Sequence, residues 1–172
     1  MTDFDPRAIF EALDHHGVRY VLIGGLAAVL HGAAHVTTDV DVVPQDALEN
    51  LERLSQALKE LHARIRVSGE PGGIPFDQSG ASLARNRIWN LQTDHGDLDI
   101  TFEPSGTHGF EDLRRDAVVM HLRTGDVVVA SLADVVRSKE AADRPRDRAI
   151  VPALRALLAT QRRERRRGMM HT

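Results

Sequence analysis

Two aspartates, Asp39 and Asp41, stand two residues apart in a segment rich in β-branched residues, Val36 to Val43. This composition favours a strand, and strand side chains alternate between faces, so both carboxylates share one face. Carboxylates about 7 Å apart repel by roughly 2 kcal/mol at an effective dielectric near 20. A divalent cation removes that repulsion, and oxygen ligands of this kind suit Mg²⁺, which shares its shell with phosphates. The pair indicates a magnesium site, with a solvated acidic face as the alternative.

A glycine pair, Gly24-Gly25, lies between a short apolar run, Tyr20 to Ile23, and a short apolar helix from Leu26 to Leu30. Glycines between a strand and a helix let the backbone approach a ligand closely, and a helix N-terminus presents free N–H groups to anions. An isolated glycine pair is more often only a turn. Because 13 residues separate Gly25 from Asp39, the two features together predict a phosphate site beside the metal site.

A second acidic segment, Asp97-Leu98-Asp99-Ile100-Thr101-Phe102, follows the turn Asp94-His95-Gly96 and is predicted to pair with a strand over Arg87–Thr93. Alternation puts Leu98, Ile100 and Phe102 on the core face and the acids on the other. If this strand lies beside the first, a third carboxylate completes the site. We favour Asp99 for that carboxylate, but alternation alone leaves Asp97 open.

Length and composition limit the possible classes of protein. With 172 residues, 27% charged and 4% aromatic, the chain predicts one domain over residues 1–160 and a basic tail over 161–172. The absence of cysteine excludes disulfides and thiolate metal sites. The chain shows neither a signal peptide nor a membrane span, so we expect a cytoplasmic protein. A net charge of −3 means that any nucleic-acid partner needs a local basic patch.

The remaining patterns predict helices around a mixed β-sheet, an α+β fold. Asp5 and Pro6 begin the first helix, Pro44 begins a second, and Ser131 caps a third that includes Lys139. Ser68 to Pro75 is predicted to be an irregular loop because glycine and proline dominate it. The second helix has a leucine stripe made of Leu48, Leu51, Leu54, Leu58 and Leu61. The apolar stripe of the last helix is made of Ile150, Val151, Leu154, Leu157 and Leu158.

The order Ile23-Gly24-Gly25 then Asp39-Val40-Asp41-Val42 resembles the signature of the polymerase-β-like nucleotidyltransferase superfamily. Gly96-Asp97-Leu98-Asp99-Ile100 resembles its third-carboxylate strand. The resemblance implies an NTP substrate, two Mg²⁺ ions and a palm-like fold. It also implies catalytic and metal-binding roles for Asp39, Asp41 and Asp99, and nucleotide contacts for Gly24, Gly25, Thr37 and Lys139.

The segments Ser131 to Asp147 and Gly32 to Asp39 resemble one branch of that superfamily, the AbiEii-like toxins of type IV toxin–antitoxin systems. In this branch Lys139 would neutralise the triphosphate, while Arg144 and Asp147 would anchor the last helix or touch the nucleotide. The branch implies an RNA acceptor, such as a tRNA 3′ end, and a cognate antitoxin partner. Five arginines between Arg162 and Arg167 could contact RNA or simply suit a helix end.

Two residues depart from the family pattern. His35 stands where an arginine is usual, which weakens substrate contact there or makes it pH-dependent. Gly25 stands where many members have serine, so a hydroxyl donor to the phosphates is lost. The sequence therefore leaves two alternatives open: nucleotidylation of a small molecule such as an aminoglycoside, or of a protein, and a nucleotide- or RNA-binding regulator without turnover.

Overall fold

The computed structural model describes residues 3–170 and shows the predicted α+β architecture, a mixed eight-stranded sheet with flanking helices. The elements in chain order are α1 Pro6–His15, β1 Tyr20–Ile23, α2 Gly24–Leu30, β2 Asp39–Pro44, α3 Leu48–Glu60, β3 Arg64–Val67, β4 Glu70–Ile74, α4 Gly80–Leu83, β5 Ile88–Thr93, β6 Gly96–Thr101, α5 Phe110–Arg115, β7 Val118–Leu122, β8 Gly125–Val129, α6 Leu132–Ala142 and α7 Pro145–Met169.

The strand order, β4-β3-β5-β6-β2-β1-β8-β7, puts the two acidic strands side by side in the middle of the sheet. Strand β2 runs parallel to β6 and antiparallel to β1. Val40, Leu98 and Ile100 are fully buried, and Val42 is only 1% exposed. Because strand residues alternate, burying this apolar set turns the intervening aspartates to the opposite face. The core therefore fixes the direction of the acids.

The predicted starts of two helices, α1 and α6, are confirmed. Asp5 accepts a hydrogen bond from the backbone N–H of Arg7 at the start of α1, and Pro6 occupies the first turn. Ser131 accepts one from the N–H of Asp134 at the start of α6. Pro145 begins α7, a position where the backbone N–H that proline lacks would make no hydrogen bond within the helix. The pattern Ser131-Leu132-Ala133-Asp134 also predicts a capping box at the start of α6, but the carboxylate of Asp134 pairs with Arg137 instead.

Two predicted boundaries near the acidic strand are wrong. Pro44 does not begin a helix; it is the last residue of β2, opposite Tyr20, and α3 starts at Leu48. Leu48 is 61% exposed and so lies outside the buried leucine stripe. The strand starts at Asp39 and not at Val36, whose side chain is exposed. Pairing with β1 and β6 sets both ends, and this long-range constraint is absent from local composition.

The prediction of an irregular loop over Ser68–Pro75 is also wrong. Glu70–Ile74 forms β4, which pairs antiparallel with β3 at the edge of the sheet. Gly73 has φ +64°, and a Cβ there would lie 2.8 Å from the carbonyl oxygen of Ile65. Edge strands tolerate proline and glycine because half of their backbone groups need no ladder partner. The composition is therefore that of an edge strand.

Helix α7 has 25 residues and continues through Pro152 into the basic segment. Gln161 donates from Nε2 to the carbonyl oxygen of His31, 3.0 Å away, which joins α7 to the end of α2. Arg162 to Arg167 extend beyond this contact as exposed helical residues. Residues 171–172 of the predicted tail lie outside the described residues. Among the helices of residues 3–170, none has the length and apolar character needed to cross a membrane.

Candidate active site

Asp39, Asp41 and Asp99 form a cluster in which one carboxylate oxygen from each lies within 4.8 Å of the others. The parallel register makes Asp41 the direct partner of Asp99, and Asp39 the partner of Asp97. All three clustered side chains are partly buried. Thr37 donates from Oγ1 to Asp39 Oδ1 over 2.9 Å. The structure thus brings together the two acids of β2 and Asp99; Asp97 points its carboxylate to Arg66.

Gly24 makes room for Asp41 at the junction of β1 and α2. Its φ is +74°, and a Cβ at this position would lie 2.7 Å from Asp41 Cγ and 2.9 Å from Asp41 Cβ. Such separations are far below van der Waals contact, so any other residue would displace the acid. The predicted glycine bend is therefore packed directly against the carboxylate cluster.

The two departures from the family pattern, His35 and Gly25, contact each other. A Cβ on Gly25 would lie 3.1 Å from His35 Nε2 and 3.0 Å from Thr37 Oγ1. The imidazole of His35 therefore crowds the position at which any side chain larger than glycine would begin. His35, Thr37 and both glycines line the same cavity as the aspartates. In the sequence the two departures look independent, whereas the structure makes them one local arrangement.

Two carboxylates of the cluster, those of Asp41 and Asp99, have raised pKa values. Burial, with repulsion from Asp39 and Asp99, raises the pKa of Asp41 to about 7, although Lys139 and Arg146 oppose this. Burial also raises the pKa of Asp99 to about 6, against the opposing charge and hydrogen bond of Arg66. Raised carboxyl pKa values mean that burial and mutual repulsion disfavour the ionised cluster despite the nearby basic residues. A divalent cation would supply further positive charge.

Helices α6 and α7 contribute basic residues to the lining of the same cavity. Asp147 is 1% exposed and accepts hydrogen bonds from Arg144 Nε at 2.6 Å and from Lys139 Nζ at 3.4 Å. Burial alone would raise the pKa of Asp147, but the bonds from Arg144 and the charge of Lys139 lower it. Asp147 thus anchors the start of α7 and holds Lys139 at the cavity wall. Arg144 and Arg146 line the cavity too.

Arg66 is a site residue that sequence analysis missed. It lies on β3, and its guanidinium nitrogens are 2.9 Å from Asp99 Oδ1 and 2.7 Å from Asp97 Oδ2. Strand β3 is three strands from β2 in the sheet, and no local motif surrounds Arg66. The one sequence signal near Arg66 is the short apolar pattern Ile65 to Val67, which suggests a strand and indicates nothing about the partners of Arg66.

The cavity formed by these residues has a volume of about 620 Å³. Its charged lining is balanced, with acids along β2, β6 and α6 and bases from β3, α6 and the start of α7. These residues are Asp39, Asp41, Asp99, Asp134, Arg66, Lys139, Arg144 and Arg146. A cavity lined by both acids and bases suits a ligand that carries both phosphates and a cation.

Comparisons with known proteins show the fold. No family model matches the chain, and no curated protein matches it. A lincosamide antibiotic adenylyltransferase, LnuA, in a lincomycin-bound crystal structure, is similar with a TM-score of 0.59 and 16% identity, over 91% of this chain and 99% of that one. A putative nucleotidyltransferase from Thermotoga maritima is similar with a TM-score of 0.52 and 16% identity, over 92% of this chain and 97% of that one. The antibiotic-resistance factor ANT(2'')-Ia is similar with a TM-score of 0.51 and 13% identity, over 97% of this chain and 96% of that one. The chain has the nucleotidyltransferase fold.

The pKa of Asp41 leads to a prediction about the metal-free protein. Because folding raises this pKa from its ordinary value to about 7, the unfolded chain releases its proton first as pH rises. Stability is therefore lost between about pH 4 and pH 7. We expect the free energy of unfolding of wild type, relative to Asp41→Asn, to fall by about 2 kcal/mol from pH 5 to pH 8. Urea unfolding in EDTA measures this difference, and a gap that stays constant with pH would contradict it.

Proposed function

We propose that this protein is a Mg²⁺-dependent nucleotidyltransferase that moves an NMP from an NTP to an acceptor hydroxyl. The observation that carries the proposal is the meeting of three carboxylates within 4.8 Å of one another, beside the glycine junction and in the cavity that Lys139 also lines. The donor set fits Mg²⁺, since all three ligand groups are hard oxygens. The raised pKa values of Asp41 and Asp99, and the space that Gly24 leaves for Asp41, fit a site whose negative charge a bound cation would neutralise.

In the proposed reaction Asp39 and Asp41 would hold the Mg²⁺ that accompanies the triphosphate, and Asp99 together with one of them would hold a second Mg²⁺. Bound Mg²⁺ supplies Lewis-acid stabilisation of phosphoryl charge. Asp99 accepts the proton of the acceptor hydroxyl. The acceptor oxygen forms a bond to the α-phosphorus, and the bond from that phosphorus to the bridging oxygen breaks, releasing pyrophosphate. Lys139, held by Asp147, neutralises the triphosphate.

We further propose RNA, such as a tRNA 3′ end, as the acceptor. Besides the family resemblance, support comes from α7, which begins at the cavity and ends in exposed arginines. Arg146 and Arg162 are 16 positions apart in the helix, roughly 24 Å at 1.5 Å per residue. An RNA whose end enters the cavity could lay its phosphates along these arginines. Inhibition of translation and a cognate antitoxin follow only from the resemblance, and growth arrest on expression would test them.

A small-molecule acceptor is the second candidate function. Two of the similar structures belong to antibiotic-resistance proteins, a lincosamide adenylyltransferase and the resistance factor ANT(2'')-Ia. The acids of the cavity, including Asp134 on α6, could bind the amino groups of a cationic drug such as an aminoglycoside.

One experiment separates the candidates. The protein is incubated with Mg²⁺ and each NTP labelled at the α-phosphate, in the presence of total tRNA, an antibiotic panel, or the protein alone. Label on tRNA supports the first proposal, and label on a drug or on protein supports small-molecule or protein acceptors. NTP binding without transfer to any of them would indicate a regulator without turnover and would contradict both enzymatic proposals.

Replacing three arginines near the end of α7 tests the RNA contact. The variant Arg162→Gln, Arg163→Gln, Arg166→Gln should bind tRNA roughly tenfold more weakly at low salt. The slope of log affinity against log salt should fall by about 0.7 to 0.9 for each phosphate that the variant no longer neutralises. Electrophoretic mobility shifts at several salt concentrations measure both quantities. NTP affinity should not change, because these residues lie far from the cavity.

The matched control removes the same charge elsewhere. It replaces three arginines that are exposed on other parts of the surface, Arg7, Arg85 and Arg123. We expect it to bind tRNA within about twofold of wild type. Equal loss of affinity in both triple variants would show that only net charge matters and would contradict a docking role for α7.

A further inference from the structure

Arg66 bridges the two acids of β6 with a single guanidinium group. Nη2 lies 2.9 Å from Asp99 Oδ1, and Nη1 lies 2.7 Å from Asp97 Oδ2. The side chain of Arg66 is 34% exposed and that of Asp99 only 16%. In the part of the chain that the structure describes, Arg66 is the one basic side chain that pairs directly with a member of the three-carboxylate cluster.

The edge hairpin presents Arg66 through an irregular pairing. On β3, Ile65 pairs with Ile74 and Val67 with Glu70, so residues 71–73 of β4 lie opposite Arg66 alone. Extra residues in one strand of a pair bend it and redirect neighbouring side chains, and such irregularities are common beside active sites. Arg66 Nη1 is also 3.4 Å from the carbonyl oxygen of Leu91. The hairpin thus positions Arg66 over β6.

The contact with Asp99 has a consequence for cation binding. A guanidinium hydrogen-bonded to Oδ1 occupies an oxygen that a metal ligand would need, and its positive charge repels an incoming cation. Asp97 gives the same guanidinium a second partner. Arg66 can therefore release Asp99 without becoming an unpaired, partly buried charge, which would be costly.

We infer that Arg66 is a positioning residue that acts as an internal counter-ion. It holds Asp99 in the free protein and shifts wholly to Asp97 when a divalent cation takes Asp99. This inference rests on the proposed function, since it treats the three clustered acids as cation ligands. It gives Asp97 a role different from that of a metal ligand, namely the resting partner of Arg66.

The test measures Mn²⁺ binding to the nucleotide-free protein at pH 8, from the electron paramagnetic resonance signal of free Mn²⁺. Arg66→Met should bind Mn²⁺ at least tenfold more tightly than wild type, because the competing cation is gone. Asp97→Asn should bind it several-fold more weakly, because Arg66 then has only Asp99 as a carboxylate partner. In the double variant the Asp97→Asn effect should largely disappear, because it acts through Arg66.

Two further variants test whether the effect is specific to Arg66 and whether it depends on charge or on hydrogen-bond geometry. Arg64→Met removes another arginine of β3, one that contacts the carbonyl oxygen of Gly73 and neither acid, and should leave Mn²⁺ affinity unchanged. Arg66→Lys keeps the charge but loses the two-pronged geometry, and should bind Mn²⁺ with an affinity between wild type and Arg66→Met. Thermal unfolding of each variant checks that it is folded.

The outcomes separate this inference from the function on which it rests. If wild type binds Mn²⁺ but Arg66→Met and Asp97→Asn both weaken binding, Arg66 only supports Asp99 and the counter-ion role is overturned. If neither wild type nor Arg66→Met binds Mn²⁺, the cation site itself is absent and both proposals are overturned. Opposite shifts in the two single variants support both.

Discussion

Asp41→Ala should abolish nucleotidyl transfer while leaving the fold intact and more stable. Asp41 is the most perturbed acid of the cluster, with a pKa of about 7, and is one of the two acids proposed to hold Mg²⁺ on the triphosphate. Loss of several kcal/mol of charge stabilisation corresponds to a rate decrease of about 10³-fold or more. Removing one of three crowded carboxylates should raise the free energy of unfolding by about 1–2 kcal/mol at pH 8 without metal. Transfer of α-labelled NMP and urea unfolding measure the two effects.

The matched control is Asp126→Asn, which removes an exposed acid of β8 that pairs with His121. It should change neither transfer rate nor stability by more than a small amount. Full activity in Asp41→Ala would contradict the mechanism. A large loss of stability in that variant would contradict the view that the acids repel one another in the metal-free protein.

Gly24→Ala should reduce transfer nearly as much as Asp41→Ala, although it removes no charged group. A Cβ at Gly24 would lie 2.7 Å from Asp41 Cγ, so Asp41 must move out of the cluster or the start of α2 must shift. Either movement separates the acid from its partners, and displacements of about 1 Å in a site of this kind reduce rates by about 10²-fold. Steady-state transfer assays and Mn²⁺ affinity both report the loss.

Gly17→Ala separates this clash from simple backbone strain. Gly17 has φ +64°, similar to the +74° of Gly24, but a Cβ there has its nearest neighbour 4.0 Å away. Both variants should therefore suffer the conformational cost of a left-handed alanine, whereas only Gly24→Ala should lose transfer. Equal activity in the two folded variants would show that the packing of Gly24 against Asp41 is not needed for function.

Much of the fold could be predicted because the two acidic strands have strict alternation. Burial of Val40 and Leu98 forces the neighbouring acids onto one face, and this follows from the period of a strand. The choice between Asp97 and Asp99 could not be made in this way, because both share that face. Side-chain geometry separates them: a carboxylate oxygen of Asp99 lies within 4.8 Å of oxygens of both Asp39 and Asp41, and Asp97 is not part of that cluster.

The features that sequence analysis missed depend on strand pairing and side-chain packing, which local composition does not show. Arg66 lies 33 residues from Asp99, and nothing in its own neighbourhood indicates the contact. The edge strand β4 has the glycine and proline content of a loop, yet pairing with β3 keeps it extended. The contact between His35 and Gly25 likewise depends on how the chain folds back between α2 and β2. Local propensity carries none of this information.

The most direct test of the central claim is the position of a divalent cation in crystals grown with Mn²⁺ and an NTP analogue that cannot be cleaved at the α-phosphate. We expect an anomalous-scattering peak between the carboxylates of Asp39 and Asp41, at about 2.0–2.6 Å from their oxygens, with the triphosphate reaching towards Lys139. A bound nucleotide with no metal at these acids, or a metal held elsewhere, would contradict the assignment of this cluster as the catalytic centre.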